Sequence, residues 1–136
     1  MTSSEPADLA RRPELPSDFA ELDFGKLWRG RERTTEVEGG IVADALRRSR
    51  RGRVLEIGVG EGRLTPFVQG GASEYVGVDQ RLEFLERTRD RVRGRMPGLL
   101  IEANLYHLPL VESAVASALL IRVYNFLTAP VEALAD

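Results

Sequence analysis

The residues that could do chemistry are concentrated at 54–64, Val-Leu-Glu-Ile-Gly-Val-Gly-Glu-Gly-Arg-Leu, where Glu56 precedes glycines at 58, 60 and 62. Alternating glycines let the backbone turn with positive φ and leave no Cβ between the chain and a ligand. A helix starting just after such a loop offers unpaired N–H groups in its first turn. Asp79 lies 21 positions beyond Gly58, and a carboxylate at that separation can accept bonds from both vicinal hydroxyls of a ribose. A nucleotide-like cofactor is the occupant this implies. The spacing is Gly-x-Gly-x-Gly, whereas the dinucleotide fingerprint Gly-x-Gly-x-x-Gly would place Arg63 at its third glycine. Glu56, two residues before the first glycine, is a poor neighbour for a pyrophosphate and suits a cofactor with a cationic end.

Strands and helices must hold that loop in place. Val54, Leu55 and Ile57 read as a buried strand, and Leu64, Phe67 and Val68 as the buried face of a helix stopped by Gly70-Gly71. A second strand over 75–78 ends at Asp79. A helix follows over 81–95, with Leu82, Leu85 and Val92 inward and Glu83 paired to Arg87. Met96-Pro97-Gly98 ends it, a third strand over 99–103 leads to Asn104, and a turn containing His107 delivers a fourth strand at 116–121. Strands alternating with helices predict an α/β fold: a Rossmann-like parallel sheet with right-handed crossovers and flanking helices.

Upstream, Pro6, Pro13 and Pro16 mark residues 1–17 as a flexible leader, with the domain running over 18–136. Phe19, Leu22, Phe24, Leu27 and Trp28 predict a short helix or packed arm; Trp28 is expected in the core, with cover over a ligand site as the alternative. A helix over 35–48, capped by Thr34 or Thr35, would bury Val37, Ile41, Val42 and Ala45, weakened by Gly39-Gly40. The arginines at 47, 48, 50, 51 and 53 read as a solvated helix end, and an RNA-contacting patch is the alternative.

Composition removes other classes. There is no cysteine, so disulfides, thiolate metal sites and cysteine nucleophiles are impossible. A net charge of −2 from 19 basic and 21 acidic residues gives no global field towards nucleic acid. No apolar run approaches the roughly 18 residues of a membrane span, and the start has no secretory segment, so a cytoplasmic protein is expected.

Taken together, these residues resemble the class I S-adenosylmethionine-dependent methyltransferases, in particular the small-molecule "type 11" group, from about Phe19 onward. The resemblance implies that the loop with Glu56, Gly58, Gly60, Glu61 and Gly62 holds the methionine part of S-adenosyl-L-methionine. It implies Asp79 on the ribose hydroxyls, Gln80 beside the adenine, and Asn104 and Leu105 at the adenine edge. Aspartate is commoner than asparagine at 104, but an amide oxygen can accept from the exocyclic amine. The segment at 120–126, containing Arg122, would pass the methionine moiety and face the acceptor. An aspartate usual near the start of that strand is replaced around Ala116, and the Asn-Pro-Pro-aromatic signature of enzymes that methylate amino groups in nucleic acids is absent at 123–126.

The expected activity is methyl transfer to O, N or C of a small-molecule acceptor. In-line displacement at a sulfonium needs alignment more than covalent help, so no catalytic residue and no metal is assigned. Tyr106, His107 and Tyr124 are the available bases, His107 being expected to be packed or solvent-facing. The family sheet has strand order 3-2-1-4-5-7-6, and only strands 1 to 4 are found, so the chain is expected to stop after strand 4. The alternative is then a non-catalytic cofactor-binding fragment that needs a C-terminal half, a partner chain or a second copy on the strand 4 edge.

Overall fold

Two periodicities in the sequence build the fold. Side chains alternate between the faces of a strand, while a helix returns to one face every three to four residues. The structure is a computed structural model and describes residues 24–68, 71–92 and 97–123. The leader at 1–17, Phe19, Leu22, Gly70, the end of the 81–95 helix with Met96, Tyr124 and the remainder of the 120–126 segment beyond Val123 lie outside the described residues.

Four parallel strands, β1 (Gly52–Ile57), β2 (Ala72–Asp79), β3 (Gly98–Glu102) and β4 (Ser117–Leu120), form a sheet of order β3-β2-β1-β4. The expected α/β class and strand order are both present. The order reverses beside β1, and in open α/β sheets ligands bind outside the C-terminal strand ends at such a point. Val54 and Tyr75 face one layer, packing with Val42, Leu46, Val68, Leu85 and Val92. Leu55, Val76 and Val78 face the other, against Ile101, Leu108, Leu110 and Val115.

The helices are α1 (Phe24–Trp28), α2 (Glu32–Arg48), α3 (Thr65–Val68) and α4 (Leu82–Val92), with a 3-10 turn at Leu105–His107. Several expectations are corrected here. Helix α2 starts at Glu32 with Arg31 as N-cap and no side-chain cap, so neither Thr34 nor Thr35 caps it. Its buried residues are Gly39, Val42 and Leu46, whereas Val37 and Ile41 are 53% and 65% exposed. The reason is Gly39: a Cβ there would overlap the Phe67 ring, so this glycine lets α2 approach α3 and rotates the helix about that contact. In α4, Phe84 and Thr88 are buried and Leu82 is 54% exposed. Glu83 pairs with Arg81, and Arg87 reaches Glu61 in the glycine loop instead of Glu83.

Arg47 and Arg48 both pair with Asp44 at the solvated end of α2. Arg53 pairs with Glu74 and donates to the Ala114 carbonyl. No helix among the described residues is long and apolar enough to cross a membrane.

Candidate functional site

At the C-terminal end of β1 the chain must leave the sheet without blocking the space above it. Gly58, Gly60 and Gly62 all have left-handed φ, +71°, +55° and +74°, a region side chains with Cβ rarely adopt. The Gly58 N–H donates to the Val78 carbonyl at 2.8 Å, which ties the loop to β2. The Gly60 N–H donates to Asp79 Oδ2 at 3.0 Å, and the Arg81 N–H to Oδ1 at 3.0 Å. Asp79 is therefore the knot between the two loops that follow β1 and β2. Burial raises its pKa, opposed by backbone N–H bonds from Gly60, Arg81 and Gln80 and by the Arg81 charge. From the far side, Thr88 Oγ1 of α4 donates to the Gly60 carbonyl at 3.2 Å.

A cavity of about 450 Å³ opens over this loop, bordered by Glu56, Gly58, Gly60, Asp79 and, across it, Trp28. That volume lies in the usual range for small-molecule sites. Trp28 is half-buried against the cavity, so the core expectation gives way to the alternative of a cover. The Arg63 guanidinium stacks 3.7 Å from the Trp28 ring centre, and that of Arg122 lies 5.1 Å from it. Both arginines pair with Glu38 of α2, Arg63 at 2.7 Å. Burial pushes the Glu38 carboxyl up, but the hydrogen bonds and charges of Arg122 and Arg63 outweigh it and hold it below the ordinary value. Arg122 itself adopts φ +56°, a strained conformation for a side chain of this kind.

Glu56 lies deeper. Its Oε2 accepts from the Tyr75 hydroxyl and from Thr65 Oγ1 at 3.3 Å. Burial pushes its pKa up to about 7, with the Tyr75 and Thr65 bonds and the Arg63 charge pulling it back and the Asp79 charge adding to the rise. The Tyr75 phenol is raised as well, by burial and by the charge of Glu56.

Of the residues singled out in the sequence, Glu56, Gly58, Gly60, Glu61, Asp79 and Arg122 border the cavity. Gly62 is buried below it, and its missing Cβ makes room for Arg91 and Thr88 of α4. Gln80, Asn104 and Leu105 do not border it: Asn104 Oδ1 accepts from the Tyr106 N–H at 2.9 Å, and Leu105 is 7% exposed among apolar side chains. Tyr106 is buried in that cluster and His107 is exposed, so neither reaches the cavity. Sequence reasoning missed Glu38, Thr65, Tyr75 and Thr88. Only Tyr75 left a readable signal, standing two residues before the glycine of a strand.

The arrangement fits the donor that the sequence suggested. The carboxylates of Glu56, Glu61 and Asp79 border the cavity together with the glycine loop, and Arg63, Arg91 and Arg122 border it as well. A zwitterionic nucleoside with a cationic centre is compatible with a lining that carries both signs of charge.

The methyltransferase domain family model matches residues 55–136. Among solved structures, a SAM-bound amino pentose methyltransferase from Micromonospora echinaspora, involved in calicheamicin biosynthesis, is 23% identical with a TM-score of 0.61; the match covers 92% of this chain and 51% of that one. A SAM-dependent methyltransferase from Leishmania major is 20% identical with a TM-score of 0.59, covering 70% of this chain and 39% of that one. The chain thus spans about half the length of the first and less of the second, and the likeness at such identity is one of fold. No curated protein matches the sequence. The family match over more than half of the residues settles the membership: this chain belongs to the methyltransferase domain family, and its fold is like that of the two S-adenosylmethionine-dependent enzymes.

Proposed function

We propose that the chain binds S-adenosylmethionine over the loop at 58–62 and carries the donor half of a methyl transfer to a small-molecule acceptor. The observation that carries this reading is the Gly60 N–H to Asp79 bond at 3.0 Å, which sets a buried carboxylate beside a glycine backbone in the wall of a cavity of fitting size. A carboxylate has about four lone-pair sites, so Asp79 keeps acceptor capacity for a ribose hydroxyl beside its backbone N–H bonds from Gly60, Arg81 and Gln80. Glu56 faces the ammonium end, Gly58 and Gly62 keep the loop open, and Glu61 and Arg122 close the rim. Gln80, Asn104 and Leu105 do not border the cavity; they are proposed to serve the adenine where it extends past Asp79, whose carbonyl accepts from the Ala103 N–H next to Asn104.

When bound, S-adenosylmethionine supplies an electrophilic methyl carbon on sulfur. The part of the chain is to fix that carbon in line with an acceptor and to exclude water, which supplies most of the acceleration in a displacement of this type. Trp28 covers the cavity and helps keep it dry. The protein is proposed to be cytoplasmic, to span 18–136 as one partial domain after a leader at 1–17, and to complete its acceptor site with further chain, a partner or a second copy beside β4, which among the described residues pairs only with β1.

Calorimetric titration of the chain with S-adenosylmethionine tests the reading, together with Asp79→Ala and Gly58→Val. The valine would meet the Val123 side chain at a left-handed φ. Binding by the wild type and its loss in both variants is expected, with circular dichroism checking the fold. Affinity unchanged in both variants would overturn the assignment.

A further inference from the structure

Glu56 and Gly77 stand opposite each other in the β1–β2 register. The absence of a side chain at Gly77 has a use: a Cβ there would lie 2.9 Å from Cε1 of the Tyr75 ring, so the ring crosses the space that Gly77 leaves open. Tyr75 is thereby able to bring its hydroxyl to Glu56 from the same face of β2. Thr65, at the start of α3, arrives from the helix side, and its hydroxyl lies 3.4 Å from that of Tyr75. Tyr75 is 1% exposed, Thr65 0% and Glu56 5%, so all three are inside the protein. Both hydroxyls fall on Oε2. Glu56 nevertheless borders the cavity, and its other oxygen, Oε1, receives no bond from the described residues.

A carboxylate gripped by one oxygen and open at the other is a directed acceptor. We infer that Tyr75 and Thr65 are positioning residues of the donor site: they fix Oε2 of Glu56 so that Oε1 accepts from the ammonium group of the bound cofactor. The inference rests on the S-adenosylmethionine reading and names the residues that set the strength of that contact.

Its consequence is a proton link. The groups facing Glu56 are Tyr75 and Asp79 from β2, Thr65 from α3 and Arg63 from the glycine loop. Burial leaves the carboxyl titrating near neutrality, and the two hydroxyl bonds are what favour its charged form. An ammonium ligand requires that charged form. Removal of the Tyr75 hydroxyl therefore pushes the titration upward and weakens the ligand most on the acid side.

The experiment is calorimetry of the full chain with S-adenosylmethionine at several values between about pH 6 and pH 9, spanning the titration of a raised carboxyl. The proteins are wild type, Tyr75→Phe, Thr65→Val, Thr65→Ser and Glu56→Gln, with the double variant Tyr75→Phe/Glu56→Gln. Wild-type affinity should fall as pH falls through about 7. At neutral pH Tyr75→Phe should bind about tenfold more weakly, the size of a lost hydrogen bond to a charged group, with its pH midpoint moved up. Thr65→Val should move the same way and Thr65→Ser should restore wild-type behaviour. Once Glu56 is glutamine, Tyr75→Phe should add nothing to the loss of affinity. The inference is overturned if Tyr75→Phe leaves affinity and pH profile unchanged, or if it weakens binding by the same factor in the Glu56→Gln background, which would mark a purely structural role. Absence of binding by the folded wild type would overturn the functional reading itself and this inference with it.

Discussion

Thr88 of α4 is fully buried and gives its hydroxyl to the backbone carbonyl of Gly60, 28 residues earlier in the chain, at 3.2 Å. The loop that faces the cavity is thus held from beneath by α4, which also lends Phe84 and Arg91 to the cavity wall and Arg87 to Glu61. Thr88→Val preserves the shape and leaves the carbonyl without its partner, at a cost of roughly 1–3 kcal/mol. A lower melting temperature, with weaker cofactor binding in calorimetry, is the expected result; unchanged values in both would show that the loop holds itself.

The three loop glycines should not respond alike. Gly60 has φ +55° with open space where a Cβ would go, so Gly60→Ala should cost only the left-handed strain, roughly 1–2 kcal/mol. Gly62 has φ +74°, and its Cβ would come within 2.9 Å of Thr88 Oγ1 and Arg91 Cδ, so Gly62→Ala should add a steric cost to the same strain. Chemical denaturation of the two variants reads the difference. Equal losses would contradict the packing of α4 on the loop.

Glu56 gives a stability signature that needs no ligand. Its carboxyl is raised from 4.5 to about 7, so between those values the folded chain holds a proton that the unfolded chain has released. Stability therefore decreases as pH rises through that window and levels off above it, by roughly 3 kcal/mol for a shift of this size. Glu56→Gln stays neutral and should melt higher than wild type at about pH 8, the two converging near about pH 4. Parallel curves across the range would refute this. The same variant should bind the cofactor more weakly, a gain in stability at the expense of function.

Glu38 runs the opposite way. Its pKa is held below the ordinary value by Arg122 and Arg63, so its contribution is present above about pH 4.5 and is lost as pH falls through the lowered value. Glu38→Gln should cost roughly 1–2 kcal/mol at neutral pH and progressively less in acid. Trp28 is the only tryptophan, and both arginines flank its ring, so its fluorescence should shift in the variant. An unaltered emission spectrum would argue that the stack stands without Glu38.

What was readable in the sequence was what neighbouring residues decide among themselves. The succession of strands and helices followed from apolar runs separated by amphipathic ones, and the loop from glycine spacing, because both patterns are local; the order of the strands in the sheet came from the family resemblance. Glu56 was recognisable as unusual, but its surroundings depend on Tyr75 reaching over Gly77 from another strand, which only the register reveals. The inward face of α2 was misread because glycine carries no hydrophobic signal, although Gly39 makes its closest approach to α3. The partner of Arg87 was misread for a related reason: Glu83 is nearer along the helix, yet the fold brings in Glu61. Trp28 and its arginines join residues far apart in sequence, and no spacing rule links them.

The two adjacent glycines of α2 have opposite prospects for anyone wishing to stiffen the helix. Gly40 faces open space, and alanine there should gain about 1 kcal/mol from helix propensity alone. At Gly39 the same change would force Phe67 aside and pry α2 from α3, carrying the neighbouring carboxylate of Glu38 away from Arg63. A residue that looks like a flaw in the helix is thus the gauge that sets how close the cover sits, and helix-strengthening redesign should begin one position later.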